Sequence, residues 1–288
     1  MADRIDVQKT YKIYIGGEFV RTESGRYYPL SDAKSGKLVA NVCLSSRKDF
    51  RNAVVAARKA QPGWAGRSAY NRSQILYRIA EMMEGRREQF VSELKRSGYT
   101  AAKADKEVDA SIDRMVYFAG WCDKYQQIYS TVNPVAGSYF NFSVPEPTGV
   151  ISVVAPEEQP LAGLISVIAP VIAGGNTCVV LCSEKSPLTA ITFSEVLHSS
   201  DVPGGVINLL TGTEAELTEH FSSHMDVNAV LYARSDKNNL KKIQENASLN
   251  VKRVVVRNEK DWTDAKTENP YAILDTLEIK TTWHPIGV

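Results

Sequence analysis

The sequence predicts an α/β protein built on a Rossmann-like, doubly wound parallel sheet. Five short apolar runs are typical of buried strands, and they lie near 149–155, 177–182, 206–210, 229–232 and 251–257. Segments of helix length separate these runs, and strands that alternate with helices favour a parallel sheet covered on both faces. Residues 146–190 hold one complete unit of strand, turn, apolar helix and strand. This unit is the most informative part of the chain.

The residues before this unit predict a small β element followed by an N-terminal helical layer. Gly16-Gly17 interrupts an alternating run at 12–20, which is typical of a tight hairpin. A second extended piece lies at 38–42. Ser46 and Asp49 form a capping pair for a helix that we expect to end at Pro62-Gly63. Apolar residues at helical spacing then predict helices over 73–90 and 102–125.

Two further extended segments flank the predicted sheet in the sequence. Residues 130–147 alternate around Gly137 and predict a second, projecting hairpin that carries Tyr139, Phe140 and Phe142. The pattern is lost after Asn258, and residues 273–283 then alternate again as a last strand. These aromatic residues predict that the surface of the projecting hairpin is adhesive.

The charge balance argues against polyanionic partners. Thirty-four basic and 33 acidic residues leave a formal charge of +1, so we expect no nucleic-acid or anionic membrane partner. The longest apolar run, 161–175, is shorter than the roughly 20 residues that a bilayer requires. Four cysteines and four histidines show no metal-ligand spacing, and nothing resembling a signal peptide precedes Tyr11. We therefore expect a cytoplasmic protein without a metal.

The order of the motifs resembles the NAD(P)-dependent aldehyde dehydrogenase family. The matching segments are YIGGEFVRTESG (14–25), ILYRIAEMMEGRREQF (75–90), DVPGGVINLLTG (201–212), NVKRVVV (250–256) and LEIKTTW (277–283). The resemblance implies a cofactor-binding domain over 1–129 and 149–258, and an oligomerisation arm over 130–148 and 272–288. The family's catalytic domain, which lies between the last cofactor strand and the C-terminal strand, has no counterpart here. In this respect the chain resembles the degenerate C-terminal module of family-16 aldehyde dehydrogenases.

Under this resemblance, the family's catalytic positions carry unsuitable groups. The family turn P-W-N-F-P matches Pro156 to Pro160, which puts Glu158 in the place of the asparagine that stabilises the oxyanion. Arg257 stands where the family has its general base, and a guanidinium cannot accept a proton near neutral pH. No cysteine follows Cys182 to supply the nucleophile. The sequence therefore predicts no catalytic residue, and a pseudoenzyme.

The cofactor positions that the resemblance implies are altered as well. Leu181 replaces the lysine that holds the adenosine ribose, and Glu214 and Glu216 at a helix start are expected to repel a dinucleotide. Glu184 and Arg234 are the two candidate cofactor contacts that remain. The sequence therefore predicts that neither NAD nor NADP is bound.

Three functions are compatible with the sequence. The first is an assembly subunit that pairs its arm strands with a catalytic aldehyde dehydrogenase subunit or with a second copy of itself. Its predicted partner contacts are Tyr139, Phe140, Phe142, Leu277, Ile279, Thr281 and Trp283. The second is an NAD(P)-binding sensor. The third is a residual aldehyde oxidoreductase that uses Cys178 or Cys182, which lie on the same face of a strand but too far apart for a disulfide.

Overall fold

The computed structural model describes residues 7–287, so the predictions made for residues 1–6 and 288 lie outside the described residues. The strands are β1 (Thr10–Tyr11), β2 (Ile13–Ile15), β3 (Glu18–Val20), β4 (Tyr27–Ser31), β5 (Leu38–Cys43), β6 (Thr131–Asn133), β7 (Tyr139–Pro147), β8 (Val150–Val154), β9 (Thr177–Leu181), β10 (Ile207–Leu210), β11 (Ala229–Tyr232), β12 (Arg253–Val256) and β13 (Leu277–Pro285). The helices are α1 (Arg47–Ala65), α2 (Ala69–Glu84), α3 (Arg87–Arg96), α4 (Ala101–Trp121), α5 (Tyr125–Tyr129), α6 (Pro160–Ala173), α7 (Pro187–His198), α8 (Glu214–Ser223), α9 (Lys237–Ser248) and α10 (Tyr271–Leu274).

The predicted parallel sheet is confirmed. Its order is β12-β11-β8-β9-β10-β2-β3, and the five predicted strands form its parallel part. Helices α6 to α9 connect these strands in sequence order. The hairpin at Gly16-Gly17 is also confirmed, but it extends this same sheet, because β2 pairs antiparallel to β10.

Alternate residues of the central strands pack into two different hydrophobic cores, one on each face of the sheet. On β8, Ile151 and Val153 pack with the apolar residues of α2, α4, α6 and α7, whereas Val150 and Val154 pack with those of α1, α8 and α9. This alternation follows from the two-residue period of a strand. Every residue of α6 is buried, since the sheet lies beneath this helix and the N-terminal helices lie above it. Helices α2 and α4 thus form a third layer over α6, whereas α1 lies on the opposite face of the sheet with α8 and α9.

The predicted helix boundaries need three corrections. The capping pair of α1 is confirmed, since the Ser46 N–H donates to Asp49 Oδ2 at 2.7 Å, but the helix continues through Pro62 to Ala65. Trp64 explains this, because its buried indole donates to the Ile172 carbonyl at 3.0 Å and holds the last turn on α6. The helix predicted over 73–90 is two helices that are separated at Gly85. The helix predicted over 102–125 ends at Trp121, and α5 follows it.

A separate three-stranded sheet has the order β13-β7-β6, and we call it the arm. The predicted hairpin and the predicted last strand are both present, and β13 pairs antiparallel with β7 from Leu277 opposite Pro147 to Pro285 opposite Tyr139. The last strand starts later than predicted, because Ile273 belongs to α10 and is buried. A third sheet of order β1-β5-β4 packs outside the main one.

Two contacts fix the base of the arm on the main sheet. Buried Asn176 accepts the Gly149 N–H at 2.8 Å and donates to the Thr276 carbonyl at 2.9 Å. Leu277 is buried in the main core and lies over Gly174 of the α6 terminus. The arm is therefore anchored at residues 276–277, and its far end projects.

The segment between β12 and α10 crosses the helical layer. Arg114 of α4 is fully buried and donates to the Trp262 carbonyl at 2.6 Å and to the Asp264 carbonyl at 3.1 Å. Trp262 is itself buried in the main core. These contacts hold the segment against α4 and α6. No helix within residues 7–287 has the length and apolar composition needed to cross a membrane.

Candidate cofactor cleft

A crevice opens where the strand order of the main sheet reverses. The chain passes from β8 to β9 and β10, and then returns to the other side of β8 as β11. In open parallel sheets, ligands bind outside the carboxyl ends of the strands at such a point. Ala155 follows β8, Cys182 follows β9 and Arg234 lies just after β11. The structure therefore brings both candidate cofactor contacts, Glu184 and Arg234, to this one crevice.

The Arg234 side chain fills the crevice. Its Nε donates to the Ala155 carbonyl at 2.8 Å and its Nη2 donates to the Cys182 carbonyl at 3.2 Å. Its guanidinium also pairs with Glu157 at 2.6 Å and with Glu214 at 2.9 Å. The exposed fractions of the three charged side chains are 7% for Arg234, 20% for Glu157 and 15% for Glu214. One arginine thus ties together the ends of two strands and pairs with two carboxylates.

The Glu157 carboxylate occupies a nest of donors after β9. Its oxygens accept the Ser183 hydroxyl at 2.8 Å, the Glu184 N–H at 3.1 Å and the Lys185 N–H at 3.2 Å. Successive backbone N–H groups of this kind form anion-binding concavities. The protein's own carboxylate therefore holds the position where this loop can accept an anion. The sequence places Glu157 in the altered turn, but its partners are distant in sequence and were not predicted.

The Glu214 carboxylate is held from three sides. Besides Arg234, it accepts the Tyr232 hydroxyl at 2.7 Å and the Asn239 side-chain amide at 2.9 Å. Burial, followed by the hydrogen bond to Glu214, raises the pKa of Tyr232 above its usual range. Glu216, two residues further along the first turn of α8, pairs with Arg26 at the surface. Each of the two carboxylates that the sequence predicts to repel an anion thus lies beside an arginine, and Glu214 shares its arginine with Glu157.

The two candidate cofactor contacts are not equivalent in the structure. The guanidinium of Arg234 already pairs with two carboxylates, Glu157 and Glu214. Glu184 is exposed, and partial burial together with the nearby Glu157 charge raises its pKa. Leu181 contributes to the core under the sheet, beside α1 and α8.

The positions matched to catalytic groups carry structural contacts. Glu158 extends into solvent and pairs with Lys185 at 2.9 Å. Arg257 is buried and donates to the Ser166 carbonyl of α6 at 2.9 Å, and its guanidinium lies 5.7 Å from the ring centre of Trp262. Burial lowers the pKa of Arg257, but its guanidinium still lacks an acceptor site. Neither side chain is placed to act as an oxyanion donor or a general base.

The cysteines are buried and free of disulfides. Burial raises the pKa of Cys182 to about 12, and it raises the pKa of Cys178 further. Cys178 and Cys182 both face the core beneath α6, as the strand spacing predicted. A nucleophilic thiol needs its thiolate form, and burial disfavours that form. Within residues 7–287, no group of His, Cys, Asp or Glu side chains could hold a metal ion.

Glu107 is a buried acid at the edge of the crevice that the sequence analysis did not single out. Its Oε1 accepts the Leu161 N–H at 2.9 Å and the Ala162 N–H at 3.3 Å, so it caps the amino terminus of α6. Its Oε2 has no hydrogen-bond partner among the described residues. Burial raises the pKa of Glu107 to about 7. The pattern of α4 alone gives no signal for this role, since the partner lies on another helix.

The raised pKa of Glu107 predicts that the protein loses stability as the pH rises from about 5 to about 7.5. The folded state binds the proton more tightly than the unfolded state, so this contribution is complete below the unfolded pKa and disappears through pH 7. We expect Glu107→Gln to reduce this loss by up to about 3 kcal/mol. Urea unfolding at several pH values checks the prediction. Glu93, whose pKa burial also raises to about 7, should retain its own share of the slope, and an unchanged total slope in the variant would contradict the assignment.

Comparison with known proteins identifies the family. The model of the aldehyde dehydrogenase family matches residues 19–259. The cytosolic 10-formyltetrahydrofolate dehydrogenase of Mus musculus is 32% identical over 256 residues, which cover 87% of this chain and 28% of that protein. The putative aldehyde dehydrogenase DhaS of Bacillus subtilis is 30% identical over 254 residues, which cover 87% of this chain and 50% of that protein.

A solved structure agrees with the sequence relatives. The NAD+ complex of an aldehyde dehydrogenase from Bacillus cereus superimposes with a TM-score of 0.82 at 26% identity, over 86% of this chain and 50% of that chain. The chain thus spans half or less of the length of these relatives. The family model ends just after β12, where the connecting segment begins. This chain belongs to the aldehyde dehydrogenase family.

Proposed function

We propose that this chain is a non-catalytic member of the family that acts as an assembly subunit. Its arm pairs with an aldehyde dehydrogenase subunit that has a catalytic domain. The observation that carries this proposal is the unpaired edge of β13. Within the described residues, β13 is the outermost strand of its sheet and only β7 pairs with it.

The pattern of the arm determines which backbone groups of β13 are free. Pro145 and Pro147 of β7 have no N–H, so they cannot form the hydrogen-bonded pairs of an antiparallel ladder. The hydrogen-bonded pairs between β7 and β13 therefore form at the residues between the prolines, such as Val144 with Lys280. The backbone groups of Ile279, Thr281 and Trp283 consequently face away from β7. Such an edge is a template for a strand from another chain.

The side chains near this edge are apolar and accessible. Ile279 is 56% exposed and Trp283 is 58% exposed, and Trp283 packs edge-on against Tyr139 with 5.8 Å between ring centres. On the opposite face of the arm, Phe140 is exposed and lies 5.5 Å from the half-buried Phe142 ring. Exposed aromatic residues of this kind are enriched in protein interfaces.

Leu277 differs from the other predicted partner contacts. Its side chain is buried in the main core, so it anchors the arm and has little surface to offer a partner. The free edge that we assign to the partner therefore begins at Ile279.

The crevice supports the non-catalytic part of the proposal. An internal network of Arg234, Glu157 and Glu214 takes up the donors and charges that a dinucleotide would need. Buried Arg257 stands in the place of a general base. We therefore propose that the chain binds neither NAD nor NADP and has no aldehyde oxidoreductase activity. Four buried, free thiols accord with a reducing, cytoplasmic compartment.

The substitution Thr281→Pro tests the proposal. It removes an N–H that faces the free edge and leaves the ladder to β7 intact, and proline is tolerated at such positions. We expect the chain, co-expressed with the full-length aldehyde dehydrogenases of its own organism, to form a mixed complex in native mass spectrometry. Thr281→Pro should weaken this complex at least 100-fold in Kd, or by about 3 kcal/mol. With NAD+ added, the free chain should keep its bare mass.

Thr281→Val is the matched control. Both substitutions remove the contact between Thr281 Oγ1 and Ser143 Oγ, which are 2.8 Å apart, but valine keeps the backbone N–H. The control should therefore assemble like the natural chain. A mixed complex that tolerates proline equally well, or a chain that remains a monomer with every candidate, would refute the proposal.

A further inference from the structure

Three large apolar side chains stand in solvent at the amino-terminal ends of β11 and β12. Met225 is 75% exposed, Leu249 is 81% exposed and Val251 is 92% exposed. The two loops that carry them touch, because the Asn250 side-chain amide lies 3.7 Å from Met225 Sδ. We call these three residues the turn cluster. Single exposed apolar residues are ordinary, but three on two touching loops offer an apolar surface that a partner can cover.

The backbone of Val251 adds a second observation. Its φ is +55°, in the left-handed region that a β-branched residue rarely adopts. The Lys252 N–H donates to the Ala247 carbonyl at 3.0 Å and closes the end of α9. Glycine is the usual residue at this position of such a motif. The chain therefore keeps a strained valine where glycine would relieve the backbone, although the valine side chain gains almost no burial within the chain. Strain of this kind is concentrated at functional sites.

The turn cluster is continuous with the free edge of the arm. Arg253, two residues after Val251, donates to the Leu277 carbonyl and, at 3.2 Å, to the Asp275 carbonyl. Leu277 is two residues before Ile279, so its carbonyl points to the same, unpaired side of β13. A partner strand that docks along this edge and continues past Ile279 towards Leu277 meets Arg253 and then the turn cluster.

We propose that the subunit that pairs with β13 also covers the turn cluster, so that the assembly contact has two parts. This inference rests on the proposed function. The partner is an aldehyde dehydrogenase subunit that supplies a strand to the edge and an apolar surface to Met225, Leu249 and Val251. The strand edge sets the register, and the cluster adds the buried apolar area that a short ladder lacks.

Val251→Gly gives the sharpest test, because it should act in opposite directions on the chain and on the complex. Relief of the left-handed strain should raise the Tm of the free chain by about 2 °C. Loss of the side chain should raise the Kd of the mixed complex at least tenfold. A residue with only a structural role would not combine these two effects. Leu249→Ser, which relieves no strain, should weaken the complex to a similar degree.

The controls separate this inference from the proposed function. Val55→Ser changes a residue on α1 that is 59% exposed, and it should leave the Kd unchanged. If Thr281→Pro abolishes the complex while Val251→Gly and Leu249→Ser leave it intact, the turn cluster is not a contact and the assembly function stands. If the natural chain forms no mixed complex, both proposals fail.

Discussion

Replacing Arg234 by methionine is expected to lower the free energy of unfolding by about 3–5 kcal/mol. The substitution leaves Glu157 and Glu214 largely buried without a countercharge, and it removes donors from the Ala155 and Cys182 carbonyls. Breaking a buried ion pair from one side has a cost of this size, because the remaining charge is desolvated and unpaired. Urea unfolding followed by tryptophan fluorescence measures it.

The control for Arg234→Met removes all the charges together. The triple variant Arg234→Met, Glu157→Gln, Glu214→Gln should regain most of the lost stability, since no uncompensated charge remains. The free energy of unfolding of Arg234→Lys should lie between those of the single methionine variant and the triple variant. A single ammonium cannot reach two carboxylates and two carbonyls as a guanidinium does. If the single and triple variants lose equal stability, the effect comes from packing of the side chain and not from the charge network.

If the crevice binds no dinucleotide, as we propose, the charge network explains how it remains folded. A parallel sheet leaves carbonyls and N–H groups at its carboxyl end, and a bound anion satisfies some of them. Here Glu157 takes the donors after β9, and Arg234 takes the carbonyls that follow β8 and β9. The same side chains therefore hold the ends of the strands together. This is a physical reason for the fold to persist without a bound dinucleotide.

Much of the fold follows from local patterns in the sequence. The apolar runs of β8 to β12, the capping pair at Ser46 and the alternation around Gly137 each depend on neighbouring residues, so they could be predicted. The arm could be predicted for the same reason, but its anchoring at Leu277 could not. Ile279, which lies on the same face of β13, is exposed, and only the position of α6 shows that Leu277 is buried.

The features that the sequence could not supply depend on distant contacts. Helix α1 runs past Pro62 because Trp64 reaches a carbonyl of α6. The partners of Arg234 come from the turn after β8 and from α8, so its place in a charge network could not be predicted from the sequence around it. In both places tertiary contacts override the local preference of the chain. Such contacts are hardest to predict for a single residue at a turn.

The turn before β10 makes another such contact, with helix α1, and it predicts a large effect for Gly205→Ala. Gly205 has a φ of +93°, and an added Cβ would lie 2.5 Å from the Ala56 carbonyl oxygen of α1. Alanine must therefore adopt an unfavourable backbone conformation and displace a helix, which together should cost about 3 kcal/mol or more. Urea unfolding measures the loss.

Gly25→Ala is the matched control, because its φ is +68° and an added Cβ meets nothing within 4 Å. It should show the backbone cost alone, about 1 kcal/mol. Equal losses in the two variants would mean that α1 moves aside freely, and that the close approach of helix and turn is not what makes glycine necessary.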